Sequence, residues 1–127
     1  MEKDSVQKRA EAKLKFYRED LAKTQKISAK RIQALEDIII FLKDKGSVYL
    51  VRIPGSGEIM NVENRYCSDF SQRIQMISKK HNIIFFDFSS KAKDYIYTDG
   101  NHMYKESGKV FTSQIADSIL SNTKQLK

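Results

Sequence analysis

The sequence predicts an α/β fold built on a short parallel sheet. The run Ser47-Val48-Tyr49-Leu50-Val51-Arg52-Ile53 is rich in β-branched residues and is stopped by Pro54. The run Ile83-Ile84-Phe85-Phe86-Asp87-Phe88 is continuously apolar, as suits a strand buried on both faces. Between them Phe70, Ile74 and Ile77 recur at helical spacing. Strand, helix and strand in that order make a crossover unit, whose two strands run parallel with a right-handed connection.

The remaining elements follow from periodicity and breakers. Residues 5–21 carry Val6, Ala10, Leu14, Phe16, Tyr17 and Leu21 between charges, which predicts a helix with one moderately apolar face. Thr24-Gln25-Lys26 is a break. Ser28 can cap a second helix running to about Lys45 and stopped by Gly46. Its stripe is Ile32, Leu35, Ile38, Ile39 and Leu42, and Ile38 to Leu42 is apolar nearly all round, so this helix is expected to be well buried. Pro54-Gly55-Ser56-Gly57 reads as a turn followed by a loop to about Tyr66. Ser68 or Asp69 can cap the crossover helix, which ends near Lys80. A short strand near 94–98 and a final helix from Lys105 to about Ser121, with Phe111, Ile115 and Ile119 in register, complete the chain. With only two firm strands, edge pairing into a homo-oligomer or a missing N-terminal segment is expected to complete the sheet.

Composition narrows the classes of function. The 127 residues fit one small domain, and 40% hydrophobic content supports a core. The net charge of +7 is spread along the chain and interleaved with acids, without a nucleic-acid motif, so nucleic acid is not the expected partner. No apolar run is long enough to span a bilayer, and the N-terminus shows no signal-peptide core. Cys67 is the sole cysteine, and Cys67, His81 and His102 together do not readily furnish a closed zinc site. No metal or organic cofactor is expected.

The chemistry lies in Thr98-Asp99-Gly100-Asn101-His102. An Asp three residues before a His can accept the imidazole Nδ1–H, fix the tautomer and leave Nε2 to take a proton from a nucleophile. The loops at 54–66 and 89–103 both leave carboxyl ends of parallel strands, so Asp99 and His102 fall on the edge where open α/β sheets bind ligands.

A strand ending in Asp87-Phe88-Ser89, then Asp99-Gly100-Asn101-His102, then a helix opening Lys105-Glu106-Ser107-Gly108 resembles the SGNH (GDSL-type) hydrolases, over about residues 30–122. The strand closed by Ile53-Pro54 also looks like that family's penultimate core strand. The resemblance implies a three-layer, flavodoxin-like α/β sandwich, with residues 1–27 as an N-terminal helix and connector, pairing with the second helix, and 28–127 as the C-terminal part of the domain. It implies serine esterase or O-acyl hydrolase activity on an acylated small molecule or polysaccharide, with Asp99 as triad acid and His102 as base. The family's Gly-Asp-Ser-like turn and its oxyanion Gly and Asn blocks have no counterpart in the chain, so the isolated chain is expected to be inactive.

Other polar residues have simpler readings. Gly55-Ser56-Gly57 follows a strand on the proper edge, but lacks the flanks of a nucleophile elbow and leads into an expected loop; Ser89 and Ser90 are weaker still. Glu58, Asn61, Glu63 and Asn64 are expected as solvated loop residues near the site. Arg52, inside a strand, should pair with a carboxylate or point to an edge. His81 is expected in solvent on the opposite edge, and Tyr95-Ile96-Tyr97 as a hydrophobic lid or short strand. The rival reading is a non-catalytic interaction module that binds a partner through the basic helices 5–21 and 28–45.

Overall fold

The computed structural model describes residues 2–125. Helix α1 (Lys3–Phe16) continues through a π-helical stretch (Tyr17–Leu21) and a last turn (Ala22–Thr24). Helix α2 (Ala29–Lys43), strand β1 (Tyr49–Arg52), helix α3 (Gly57–Tyr66), helix α4 (Phe70–Lys80) and strand β2 (Ile84–Asp87) follow. A 3-10 segment (Ser89–Asp94) and helix α5 (Lys105–Gln125) complete the order. The chain therefore mixes helix and strand around a two-stranded sheet. β1 and β2 run parallel, with Leu50 opposite Phe85 and Arg52 opposite Asp87.

Alternation along the strands sorts the core into two clusters. Leu50 and Phe85 pack with Ile39, Ile74 and Ile77 of α2 and α4. Val51 and Phe86 face the other way, toward Phe88, Tyr95 and Phe111. The Phe111 ring meets Phe88 and Tyr95 edge-on at 5.1 and 5.5 Å. Helices thus cover both faces of the strand pair.

Four local expectations change. Residues 57–66 are helical rather than a loop, because Ser56 caps the segment by accepting the Ile59 N–H. The stretch 94–98 forms no regular strand; its pairing is a single antiparallel bridge, Tyr97 to Met103, that closes a tight hairpin. β2 has both faces covered but is only partly buried, and Asp87 is exposed. Helix α2 is not well buried. Ile39 is its one buried residue, whereas Ile38, Ile40 and Phe41 are each more than half exposed. A two-stranded sheet is narrow, so it touches α2 along one stripe and leaves the flanks bare. The outer edge of β1 has no strand partner among the described residues. The Arg52 carbonyl accepts the Phe88 N–H on the β2 side, so by alternation Tyr49 and Val51 aim their backbone groups outward.

At the amino end of the sheet, Glu36 of α2 accepts from Lys80 at 2.5 Å and contacts His81 Nε2 at 2.6 Å. His81 is only 10% exposed and therefore not solvated as expected. The sequence separation of this acid and histidine, 45 residues, hid the pair.

The buried stripe and the bare flank of α2 set up a contrast in stability. Ile39→Ala should cost about 2–5 kcal/mol through lost burial and a cavity, while exposed Ile38→Ala should cost about 0.5 kcal/mol or less, read by urea unfolding.

Candidate functional site

The parallel pairing of β1 and β2 sends the turns after both strands to one edge, where they touch. The Ser56 N–H donates to the Gly100 carbonyl at 2.7 Å. Glycine is needed on both sides of this contact. A Cβ at Gly55 would lie 3.0 Å from the Ile59 side chain and 3.3 Å from the Gly100 carbonyl. Gly100 itself has φ of 86°, in the left-handed region that L side chains rarely adopt.

Gly100 lies at the tip of the hairpin. Thr98 N–H donates to the His102 carbonyl at 2.8 Å, and Tyr104 N–H to the Ile96 carbonyl at 2.8 Å. Inside the tip the Asp99 carboxylate takes up the local donors. Oδ1 accepts the Asn101 N–H at 3.0 Å and the His102 N–H at 2.8 Å. Oδ2 lies 2.8 Å from His102 Nδ1. With Asp99 ionised, Nδ1 carries the proton and donates it, which leaves the Nε2 lone pair outward. The imidazole is 68% exposed, its carboxylate only 17%. Burial raises the Asp99 carboxyl, but the His102 N–H, the imidazole and the Asn101 N–H outweigh it and hold the carboxyl at about 2.

Ser107 Oγ accepts the Ile96 N–H at 2.8 Å, fastening the hairpin to the first turn of α5. Of the Tyr95-Ile96-Tyr97 segment, Tyr95 is core and hydrogen-bonds Gln114, while Ile96 is exposed. The segment is neither a lid nor a regular strand.

Ser56 reaches this loop. Its Oγ would lie 3.3 Å from a Cβ at Gly100. The helix that begins directly after Ser56 removes the expected loop from beneath it. Its hydroxyl, however, caps α3 by accepting the Ile59 N–H at 3.4 Å, and it makes no hydrogen bond to His102. Ser89 donates its backbone N–H to Asp87 within the 3-10 segment. Cys67 donates its thiol to Asp69 at 3.2 Å, and burial followed by that hydrogen bond pushes the thiol up, away from the reactive thiolate.

Glu58, Asn61, Glu63 and Asn64 lie on α3 rather than a loop. Two of them serve Arg52. Its guanidinium donates to Ser71 at 2.7 Å and Asn64 at 3.3 Å, and it meets Glu63 at 3.5 Å while stacking over the Phe70 ring. Ser71 in turn donates to Asp87. Arg52 thus pairs with a carboxylate as expected and ties β1 to α3 and α4.

Clefts between the π-helical stretch and α3, around Tyr66 and Cys67, and along α4 beside Asp87 are lined by neither Asp99 nor His102. Among the described residues no three His, Cys, Asp or Glu side chains converge as a metal site would require, and no helix is long and apolar enough to cross a membrane. Sequence reasoning missed the contacts of α1 with this loop. Arg9 Nε donates to the Thr98 carbonyl at 3.3 Å, and Lys13 Nζ lies 3.7 Å from Asp99 Oδ2. Basic residues on a helix give no signal of a carboxylate some ninety positions away. Comparison with family models, curated proteins and solved structures gave no match for the chain.

The depressed Asp99 carboxyl makes stability depend on pH. A folded value below the unfolded one of about 3.9 stabilises the fold above that pH, and the contribution is lost as pH falls toward about 2. Asp99→Asn should therefore be less stable than the parent near neutrality, with the gap narrowing between about pH 4 and pH 2 in urea titrations.

Proposed function

We propose that Asp99 and His102 are the acid–base half of a hydrolase site acting on acyl esters, as the resemblance to SGNH-type serine esterases and O-acyl hydrolases implies. The observation that carries this reading is the 2.8 Å contact between Asp99 Oδ2 and His102 Nδ1, which turns Nε2 outward at the edge where both strands end. In a complete site His102 Nε2 would take the proton from a serine hydroxyl as it attacks the ester carbonyl, and return it to the leaving alcohol. Asp99 would hold the ring and stabilise the imidazolium. The serine would come from outside these residues, since Ser56 is engaged as a cap. The finer architecture proposed is the C-terminal part of a three-layer, flavodoxin-like sandwich, supported by helices on both faces of a parallel strand pair. The acyl-bearing substrate, a small molecule or polysaccharide, follows from the same resemblance.

The isolated chain should hydrolyse a short-chain activated ester no faster than buffer and should resist a serine-directed phosphonate. Robust turnover with stoichiometric labelling at Ser56 would overturn the half-site. Nitrogen NMR should show the Nδ1–H tautomer at His102, and the opposite tautomer would remove its assignment as base.

The bare flank of α2 and the open edge of β1 favour a second reading, an interaction module that associates with itself or with another chain. The exposed Ile38, Ile40 and Phe41 of α2, more than its basic residues, would then make the contact. Light scattering over a concentration series should show mass rising with concentration, and a stable monomer at high micromolar concentration would count against self-association.

A further inference from the structure

Helix α1 buries none of its residues, yet one stripe of it lies on the Asp99 hairpin. Arg9 holds the Thr98 carbonyl, a Cβ at Gly100 would lie 3.9 Å from Ala10 Cα, and Lys13 meets the Asp99 carboxylate. Positions 9, 10 and 13 share a helix face, so the contact belongs to the helix as a whole and not to one stray side chain. The Lys13 ammonium, 31% exposed, lies 3.7 Å from Oδ2, the same oxygen that faces His102 Nδ1. The Lys13 ammonium and the imidazole Nδ1–H therefore share one carboxylate oxygen.

This sharing has a chemical consequence. A carboxylate alone favours the protonated imidazolium and raises its pKa, which leaves less of the unprotonated base at neutral pH. A fixed ammonium beside the same carboxylate offsets part of that negative charge. We propose that Lys13 is a positioning residue that acts through Asp99, its ammonium standing 3.7 Å from the Oδ2 that faces the imidazole and offsetting part of that carboxylate's hold on the ring. The inference rests on the acid–base reading of the pair. The other charged or ionisable groups at the hairpin are Arg9, on the same helix face against the Thr98 carbonyl, Tyr17 in the π-helical stretch, and His102 itself; Glu63 of α3 stands near Tyr17 and adds negative charge. Burial, then Glu63 and Asp99, pushes the Tyr17 phenol up, so it stays neutral and Lys13 is the cation at the carboxylate.

The test is the midpoint of His102 titration, followed by NMR through its imidazole C–H signals in the whole chain. The parent is compared with Lys13→Met, Lys13→Arg and Asp99→Asn. Removing the cation should raise the His102 midpoint by a few tenths of a unit, because the site is partly screened by solvent. Lys13→Arg keeps the charge and should stay near the parent value. Raising the salt to about 1 M should shrink the difference between parent and Lys13→Met. A His102 midpoint that is unchanged or lowered in Lys13→Met overturns the role of Lys13. Asp99→Asn tests the underlying pair separately. It should lower the midpoint, and an unchanged midpoint there would undo the acid–base reading itself. Far-ultraviolet circular dichroism checks that each variant is folded; α1 contributes no buried residue, so substitutions at Lys13 should leave the core intact.

Discussion

Parallel pairing of Tyr49–Arg52 with Ile84–Asp87 is the constraint from which the rest of the molecule follows. Parallel strands need a crossover, and here α3 and α4 supply it. The same direction of travel brings the turns after both strands to one edge. There the two turns meet backbone to backbone, Ser56 N–H on the Gly100 carbonyl, with little room for a side chain at Gly55 and a left-handed backbone at Gly100. The Asp99–His102 hairpin is thus anchored to the sheet by backbone contact, and to α5 by the Ser107 hydroxyl.

The two acid–histidine contacts in the chain show how environment separates chemistry from scaffolding. Glu36 and His81 are both largely buried, and Lys80 shares the carboxylate, so that pair ties α2 to the end of α4. Asp99 is enclosed while His102 faces outward, with its second ring nitrogen unengaged. A carboxylate saturated by donors orients an imidazole, and an exposed imidazole can exchange a proton with something that arrives from solvent. Arg52 illustrates a third use of charge. It is buried among Ser71, Glu63, Asn64 and the Phe70 ring, where its fixed geometry locks two helices to a strand.

What the strand pair leaves open matters as much as what it closes. Two strands cannot cover the helices laid on them, so Ile38 and Phe41 of α2 remain in solvent, and the outer backbone groups of the strands lack strand partners among the described residues. Larger α/β sheets bury such features under further strands. An apolar flank and an open strand edge are each the kind of surface another strand or another copy covers.

The sequence by itself determined both strands, helices α1, α2, α4 and α5, the break near 24–26 and the Asp99–His102 spacing, because each depends on local periodicity, local breakers or a three-residue separation. It also placed both turns on one edge, since parallel pairing follows from the order of elements. Tertiary structure decided the rest. The segment after Ser56 is a helix, capped by the Ser56 hydroxyl and packed through buried Ile59 and Met60, although its composition resembled a loop. The Ile38–Leu42 run stayed largely in solvent because burial depends on how much sheet lies beneath a helix, which hydropathy does not report. The partners of His81, Arg52 and Asp99 lie on other elements, and long-range side-chain meetings are set by how helices dock rather than by any spacing along the chain.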